Sequence, residues 1–486
     1  MGGPWWASAA SENALLIFSP TNVNLLVGAI FAYVALQMVI GVLVSRSIRT
    51  EDDYLLAGRQ LGPTVATFSI FATWFGAETC VGSAGAVYET GLSATRADPF
   101  GYALVIVILA AVFAGPLWRA QITTLGDLFR RRYSPRVEQV AVVLMIPTSI
   151  LWAGAQIRAF GQVLASASDG MSASVGIALA TVTVLVYTIF GGLLADAWTD
   201  LLQGIVLAVG LIVVSLLVVN GLGGIGPAFA QVEASHWALR APGETTIEVL
   251  NRWAIPILGS VTAQELISRI VACRSPQVAQ RAAWMASVTY LSIGVLPVGL
   301  GLMATQVNLG VVDAEHVLPA LAQHHLPTFG YVLFVGALVS AILSTVNSCL
   351  LVAGSMISHN LVVPHLPAIT DRGKVLAARV GVMGSGVVAW YLALSSESVL
   401  GLVEEASGFG SAGILVLMLF ALWSPFGGAM AALAALVSGV AVWVAAHFVY
   451  ALPYDYLASV GAAFGAYFLV GLLERVRPAP AVATPV

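Results

Sequence analysis

Residues 64–91 read TVATFSIFATWFGAETCVGSAGAVYETG, and this stretch decides how the chain is built. It is apolar enough to cross a bilayer, yet it carries Glu78 at mid-depth with Gly76, Gly82 and Gly85 around it. An ionisable side chain in hydrocarbon costs a few kcal/mol and marks a functional position by default. The glycines admit two readings: close helix packing, or an unwound stretch whose free carbonyls face a cavity. Packing needs no carboxylate, so Glu78 favours the second, and the segment predicts a membrane helix broken at a site.

The rest of the sequence supplies the membrane around it. Of 486 residues, 59% are hydrophobic and 9% charged, against about 25% charged in soluble proteins, and the mean hydropathy is +0.92. Apolar stretches of about 20 residues, each able to span about 30 Å of hydrocarbon, recur along the whole length. They predict thirteen crossings, over 23–45, 62–90, 100–118, 138–167, 171–191, 197–220, 249–271, 282–305, 328–358, 376–394, 399–422, 427–450 and 455–474. The fold class is therefore an all-α polytopic membrane protein of about thirteen transmembrane helices. The N-terminal MGGPWWASAASENALLIFSP lacks a basic region and reads as a short tail rather than a cleaved signal peptide.

Orientation follows from Arg and Lys. With the N-terminus outside, the inner loops collect Arg46, Arg49, Arg59, Arg119, Arg130, Arg131, Arg132, Arg136, Arg269, Arg274, Arg281, Arg372, Lys374, Arg379, Arg475 and Arg477, which is 16 of the 20 basic residues. The C-terminus is then cytoplasmic, as expected for a multi-pass protein of the cell membrane. The longest polar connection, 221–248, is outside and too short for a catalytic domain, whereas 119–139 reads as an amphipathic interfacial helix with basic anchors. The net charge of −4 gives no sign of a nucleic-acid partner, and Cys80, Cys273 and Cys349 lie in apolar segments, so no disulfide framework is implied.

Other polar groups sit where lipid is expected. Asp200 lies about a turn inside the sixth crossing and suggests a cation path, while Asp196 reads as a helix N-terminal charge favoured by the dipole. Arg158 is the only basic residue read well inside a crossing. It is open to two readings, a structural pair with Asp98 or Glu78, or a fork for a substrate carboxylate. The ninth crossing holds SAILSTVNSCLL, 340–351, with Ser340, Ser344, Thr345, Asn347 and Ser348. Positions 341, 344, 345 and 348 share one helix face. Isolated hydroxyls merely bond back to their own helix. This face instead offers several neutral oxygens, which suits a small hard cation if a broken helix brings free carbonyls.

With those residues in view, the chain resembles the sodium/solute symporter family of sodium-coupled sugar, proline, sialic acid and choline transporters. The resemblance is carried by EDDYLLAGRQLG, ATWFGAETCVGSAGAVYETGL, TTLGDLFRRRYS, YTIFGGLLADAWTDLLQG, the SRI after the seventh crossing and SAILSTVNSCLL, in that order. It implies the leucine-transporter fold: two inverted five-helix repeats with broken first helices, enclosing a midplane site. The division expected is a tail, first helix and inner loop over 1–61, repeats over 62–220 and 249–422 separated by the 221–248 loop, two further helices over 423–474 and a tail over 475–486.

Carried over residue by residue, the resemblance implies a main Na⁺ site on the carbonyls of Ala72, Phe75 and Ala341 and the hydroxyls of Ser344 and Thr345. A second Na⁺ site would use Asp200, Asn347 and Ser348, with Asn347 where a hydroxyl is usual. Substrate positions would include Trp74, Glu78, Thr79, Asp98, Trp152, Arg158 and Gln264. Thr79 replaces the glutamine of sugar transporters. Trp74 and Trp152 match aromatics of choline-type members, where tryptophan faces hold a quaternary ammonium, but the third aromatic of that set falls on Ala263. The expected activity is Na⁺-coupled import of a small organic solute (amino acid, quaternary ammonium or carboxylate) by alternating access, by a monomer in the lipid bilayer. The alternatives are proton coupling through Glu78 or Asp200, and a ligand sensor of the same fold. No nucleophile or metal cluster accompanies these acids, so no enzyme is expected.

Overall fold

The computed structural model describes residues 28, 32, 35, 39 and 43 and then 49–476, except 167–170, 308, 312–313, 367 and 397. Of the predicted tail and first crossing, 23–45, only those five positions are described, and the C-terminal tail from 477 lies outside the described residues. Among the described residues every regular element is helical. The main ones are α1 (Pro63–Trp74), α2 (Ala84–Thr90), α3 (Arg96–Arg119), α4 (Leu125–Arg132), α5 (Pro135–Ser166), α6 (Ala173–Gly221), α7 (Thr246–Ala254) and α8 (Gln264–Val271). They continue with α9 (Pro276–Ala304), α10 (Thr328–Ser355), α11 (Asp371–Ser395), α12 (Val399–Gly408), α13 (Ser411–Trp423), α14 (Ala429–Val444) and α15 (Asp455–Val476).

By length and composition, eight described helices can cross a membrane alone, and two bent pairs, α7–α8 at 41° and α12–α13 at 44°, raise this to ten. The expected count of thirteen needs three more: the broken 63–90 segment, the short apolar run Ala173–Val186, and 23–45. The fifth and sixth crossings are two helical segments of α6 that meet at Gly192, where φ 63° and ψ 176°, values open to glycine, break the helix.

Helix α10 is the axis of the molecule. It is buried at every position from Phe334 to Ser355, as an apolar helix must be when other helices surround it. Against it lie α1, α5, the second half of α6, and α11. Where α10 crosses α11, Gly354 and Gly381 bring the backbones together. A Cβ on Gly354 would stand 2.6 Å from Val382 Cγ2 and 2.7 Å from the Ala378 carbonyl, the close approach that small residues permit between membrane helices. The outer surfaces of α6 and α11 expose Val209, Leu216, Val380 and Val387, apolar side chains suited to lipid.

The core also contains charge. Arg269, read as a loop residue, is wholly buried on α8. Its Nη2 lies 2.5 Å from Asp196 Oδ2 and 3.8 Å from Asp200 Oδ2. Asp196 is likewise no exposed helix-end charge: it accepts from Asn347 Nδ2 at 2.5 Å and Ser348 Oγ at 2.9 Å as well. The physical reason is that a guanidinium in hydrocarbon requires a counter-ion and acceptors, and the chain bend at Gly192 brings Asp196 to it.

Both faces of the bundle are tied by charged side chains. On the basic face, His359 sits between Glu51 (3.0 Å) and Asp127 (3.1 Å). Asp127 also closes a capping box with Thr124 at the start of α4. Burial opposes ionisation of Asp127, but the His359 bond and the Thr124 and Thr123 N–H groups hold its pKa below the usual carboxylate value. On the opposite face, Glu244 of the 221–248 loop takes Arg96 in a two-pronged bond (2.7 and 2.5 Å) and meets Arg252 at 3.4 Å.

Two outcomes follow for stability. Gly354→Leu, by overpacking the α10–α11 crossing, is expected to cost about 1–3 kcal/mol, seen as a lower melting midpoint of the purified protein. Asp196→Ala, which leaves the Arg269 guanidinium without its nearest counter-ion, is expected to cost about 3–5 kcal/mol, with most of the loss recovered by adding Arg269→Met.

Candidate functional site

The site begins where α1 stops. Phe75 leaves helical geometry (φ −80°, ψ 80°), and the Gly76 N–H turns to the Trp74 carbonyl at 3.0 Å instead of reaching Ala72. The Ala72 carbonyl is thereby released from its helix. It accepts from the Thr345 hydroxyl at 3.3 Å, and the same hydroxyl lies 3.3 Å from the Ala341 carbonyl. Gln156, which the sequence did not flag, accepts from the freed Ala77 N–H at 3.1 Å and so caps the second half of the broken helix. Gly76 is needed here, because a Cβ would stand 2.9 Å from Thr345 Oγ1 and 3.0 Å from Gln156 Oε1. The three glycines thus differ. Gly76 allows the break, Gly85 presses on the main chain of Ala314 with room for no Cβ (2.5 Å), and Gly82 has open space.

Of the residues expected at the main ion site, Ala72, Ala341 and Thr345 converge through these contacts, and Phe75 is the residue at the break. Ser344 turns its hydroxyl to Asp200, whose other oxygen accepts from Ser69 at 2.6 Å. Asn347 and Ser348, expected beside Asp200, are instead held on Asp196 by the Arg269 cluster. An arginine therefore stands where the second set of oxygens was expected to gather.

At the break lies a box of three aromatic rings in mutual contact. Trp74 meets Tyr102 at 5.1 Å and Trp152 at 5.7 Å between ring centroids, and Tyr102 meets Trp152 at 5.9 Å. Tyr102 supplies the third ring that Ala263 lacks. The signal for it was present, four residues after Asp98 in RADPFGY, but ring proximity is set by how α3 packs on α1. Glu78 is fully buried beside this box, with Asp98 and Tyr102 as its polar neighbours. Neither of its oxygens has a hydrogen bond of ordinary geometry among the described residues.

Asp98 is differently placed. It accepts from the Thr79 hydroxyl and from the Tyr290 hydroxyl at 3.1 Å, which binds 63–90 to α3 and α9. Arg158 lies away from the box and donates to the carbonyl of Ser396 at 2.7 Å, past the end of α11. Gln264 accepts from the Leu125 N–H at 2.8 Å and donates to Ser268 Oγ at 3.1 Å, joining α8 to α4.

A vestibule of about 670 Å³ opens beside the 221–248 loop and descends to Tyr102 and Ser407, passing Glu89, Glu404, Arg252 and Asp455. Beyond Trp152 a narrow cavity of about 30 Å³ is lined by Ser149, Ser260, Gln264, Glu265, Ser407 and Ser411, between the breaks of α7–α8 and α12–α13. The two spaces share Ser407.

Known proteins agree with this architecture. A family model described as the sodium:solute symporter family matches residues 54–439. The high-affinity choline transporter 1 of Caenorhabditis elegans is 25% identical over 412 residues, covering 78% of this chain and 70% of its own. The chain spans 63% of the human choline transporter. The high-affinity proline transporter PutP of Bacillus subtilis (strain 168) is 27% identical over 478 residues, covering 92% of this chain and 97% of its own. The fold matches a Na⁺-coupled sialic acid symporter in its substrate-bound outward-open state at TM-score 0.82 and 17% identity, covering 95% of this chain and 99% of that one. This protein belongs to the sodium:solute symporter family and is a sodium-coupled transporter of a small organic solute.

Proposed function

We propose that the chain imports a small solute with a cationic nitrogen head, drawing on one Na⁺ held between α1 and α10. The observation that carries the solute class is the box of Trp74, Tyr102 and Trp152 beside the buried Glu78 carboxylate. Tryptophan and tyrosine faces attract an organic cation by about 0.5–2 kcal/mol each, most when water is excluded. A carboxylate at the same depth offsets the cost of bringing positive charge out of water. Relatives named for choline and proline, both with cationic nitrogens, fit that class.

The ion reading rests on oxygen chemistry. The released Ala72 carbonyl, the Ala341 carbonyl and the Thr345 hydroxyl meet at one point, with Phe75 at the break and Ser344, whose hydroxyl turns to Asp200, as the further donors. Neutral oxygens of this kind suit a hard cation. Because they come from two helices, an ion there locks α1 against α10 and favours the state in which the vestibule is open. Cargo then descends through the vestibule to the aromatic box, the vestibule closes, and the ion leaves along Asp200 towards the basic face. The Arg269 guanidinium, 3.8 Å from Asp200 and bonded to Ser348, puts positive charge where a second Na⁺ would lie, which argues for a single ion per cycle. The N-terminus lies outside and the C-terminus in the cytoplasm by the basic-residue rule.

The direct test is ²²Na⁺ binding to purified protein, followed by uptake of tritiated choline into proteoliposomes. Thr345→Ala is expected to weaken Na⁺ binding tenfold or more and to abolish gradient-driven uptake, and Gly76→Ala to do the same by displacing the Thr345 hydroxyl. Trp74→Leu is expected to raise the KM for choline about tenfold while leaving ²²Na⁺ binding intact. Uptake driven by a pH gradient without Na⁺ would transfer the coupling to a proton, and ²²Na⁺ binding untouched by Thr345→Ala would move the ion elsewhere.

A further inference from the structure

The narrow cavity beyond Trp152 contains an acid that neither the ion site nor the aromatic box uses. Glu265 is the second residue of α8, 4% exposed, and lines this cavity together with Trp152, Ser149 and Ser260. The Ser149 hydroxyl donates to one carboxylate oxygen. Arg269, one turn along, donates to the Glu265 main-chain carbonyl at 3.1 Å, but its charge is committed to Asp196. Among the described residues no Lys, Arg or His stands within ion-pair distance of the Glu265 side chain. Its neighbour Gln264 is engaged by Leu125 and Ser268. The cavity therefore presents one carboxylate and several hydroxyls behind Trp152, with no basic side chain among its lining residues.

We propose that Glu265 is a specificity-determining residue that makes the site select organic cations bearing a hydroxyl tail and reject zwitterions bearing a carboxylate. The inference rests on the reading that the cargo is held by a cationic head in the aromatic box. Trp74, Tyr102 and Trp152 are in mutual contact; once they part to take the head against their faces, the tail of a short solute passes Trp152 into the cavity that Glu265 lines. A carboxylate tail there shares a buried site with the Glu265 carboxyl, while the nearest cation, Arg269, is committed to Asp196. The two acids cannot both be ionised, so one of them must take up a proton or stay in water. A hydroxyl tail instead donates to Glu265 or exchanges hydrogen bonds with Ser149 and Ser260, and the negative field adds to the attraction for the head. Arg158, the one residue read as a carboxylate fork, is turned to Ser396 outside the box.

Choline and glycine betaine form the matched pair that tests this, because they share a trimethylammonium head and differ in a hydroxymethyl against a carboxylate. In proteoliposomes with an inward Na⁺ gradient, tritiated choline uptake is measured with unlabelled glycine betaine as competitor. Wild type is expected to show a choline KM at least tenfold below the betaine inhibition constant. Glu265→Gln, nearly the same shape without the charge, is expected to collapse that ratio at least tenfold, while Trp152→Leu weakens both compounds alike. Glu265→Asp, which keeps the charge but draws it back by one methylene, is expected to shrink the ratio about threefold and serves if the Gln variant does not fold.

A ratio unmoved in both Glu265 variants would overturn the proposal. So would a wild type that prefers betaine, although the cationic-head reading would then survive. A wild type that handles neither compound would overturn both.

Discussion

A single hydroxyl, that of Thr345, stands 3.3 Å from two main-chain carbonyls on different helices, and the membrane gives it consequences it would not have in water. Inside hydrocarbon every backbone polar group must find its partner within the protein, so a helix cannot simply stop at mid-depth. Helix α1 does stop there. Its freed groups are met by Thr345 on one side and by Gln156 on the other, and both contacts need the bare backbone of Gly76. The break, the released carbonyl and the approach of α10 are one arrangement. Removing any part obliges the others to move.

A similar constraint governs the charges. The buried cluster of Asp196, Asp200 and Arg269 carries two acids and one base, with Ser69, Ser344, Asn347 and Ser348 supplying donors. A pairing of this kind contributes little net stability against an apolar replacement, yet it fixes how α6, α8 and α10 register. The aromatic box is the opposite case, where among the described residues Glu78 has no hydrogen bond of ordinary geometry and no ion pair. The two clusters differ in that one pairs its charges within the scaffold, whereas the other leaves the Glu78 oxygens unmatched among the described residues.

Much of this was legible in the amino-acid order. The apolar runs, the break signalled by Gly76 and Glu78, and the oxygen-bearing face of α10 all come from local pattern, which depends on periodicity and on the cost of polar groups in lipid. What was not legible depends on long-range packing. Arg269 reads as a loop residue until the turn at Gly192 brings Asp196 beside it. Tyr102 looks like one more aromatic until α3 packs on α1. Gln156 lies on an apolar face of α5, and nothing local says that its amide will cap a helix eighty residues away. Asn347 and Ser348 were placed beside Asp200 by the family resemblance, and the local sequence does not choose between two aspartates one turn apart.

The vestibule has an electrical consequence. Water in it carries the potential of its own side of the membrane down to Tyr102 and Ser407, so almost no voltage drops along its depth. The field is compressed into the thinner protein layer beneath, where a charge gains about 2.3 kcal/mol for each 100 mV it crosses. A cation resting on the floor has therefore spent almost none of that energy, and nearly all of it is left for the path from there to the basic face. Membrane voltage acts in this molecule on the protein beneath the vestibule rather than on the full width of the bilayer.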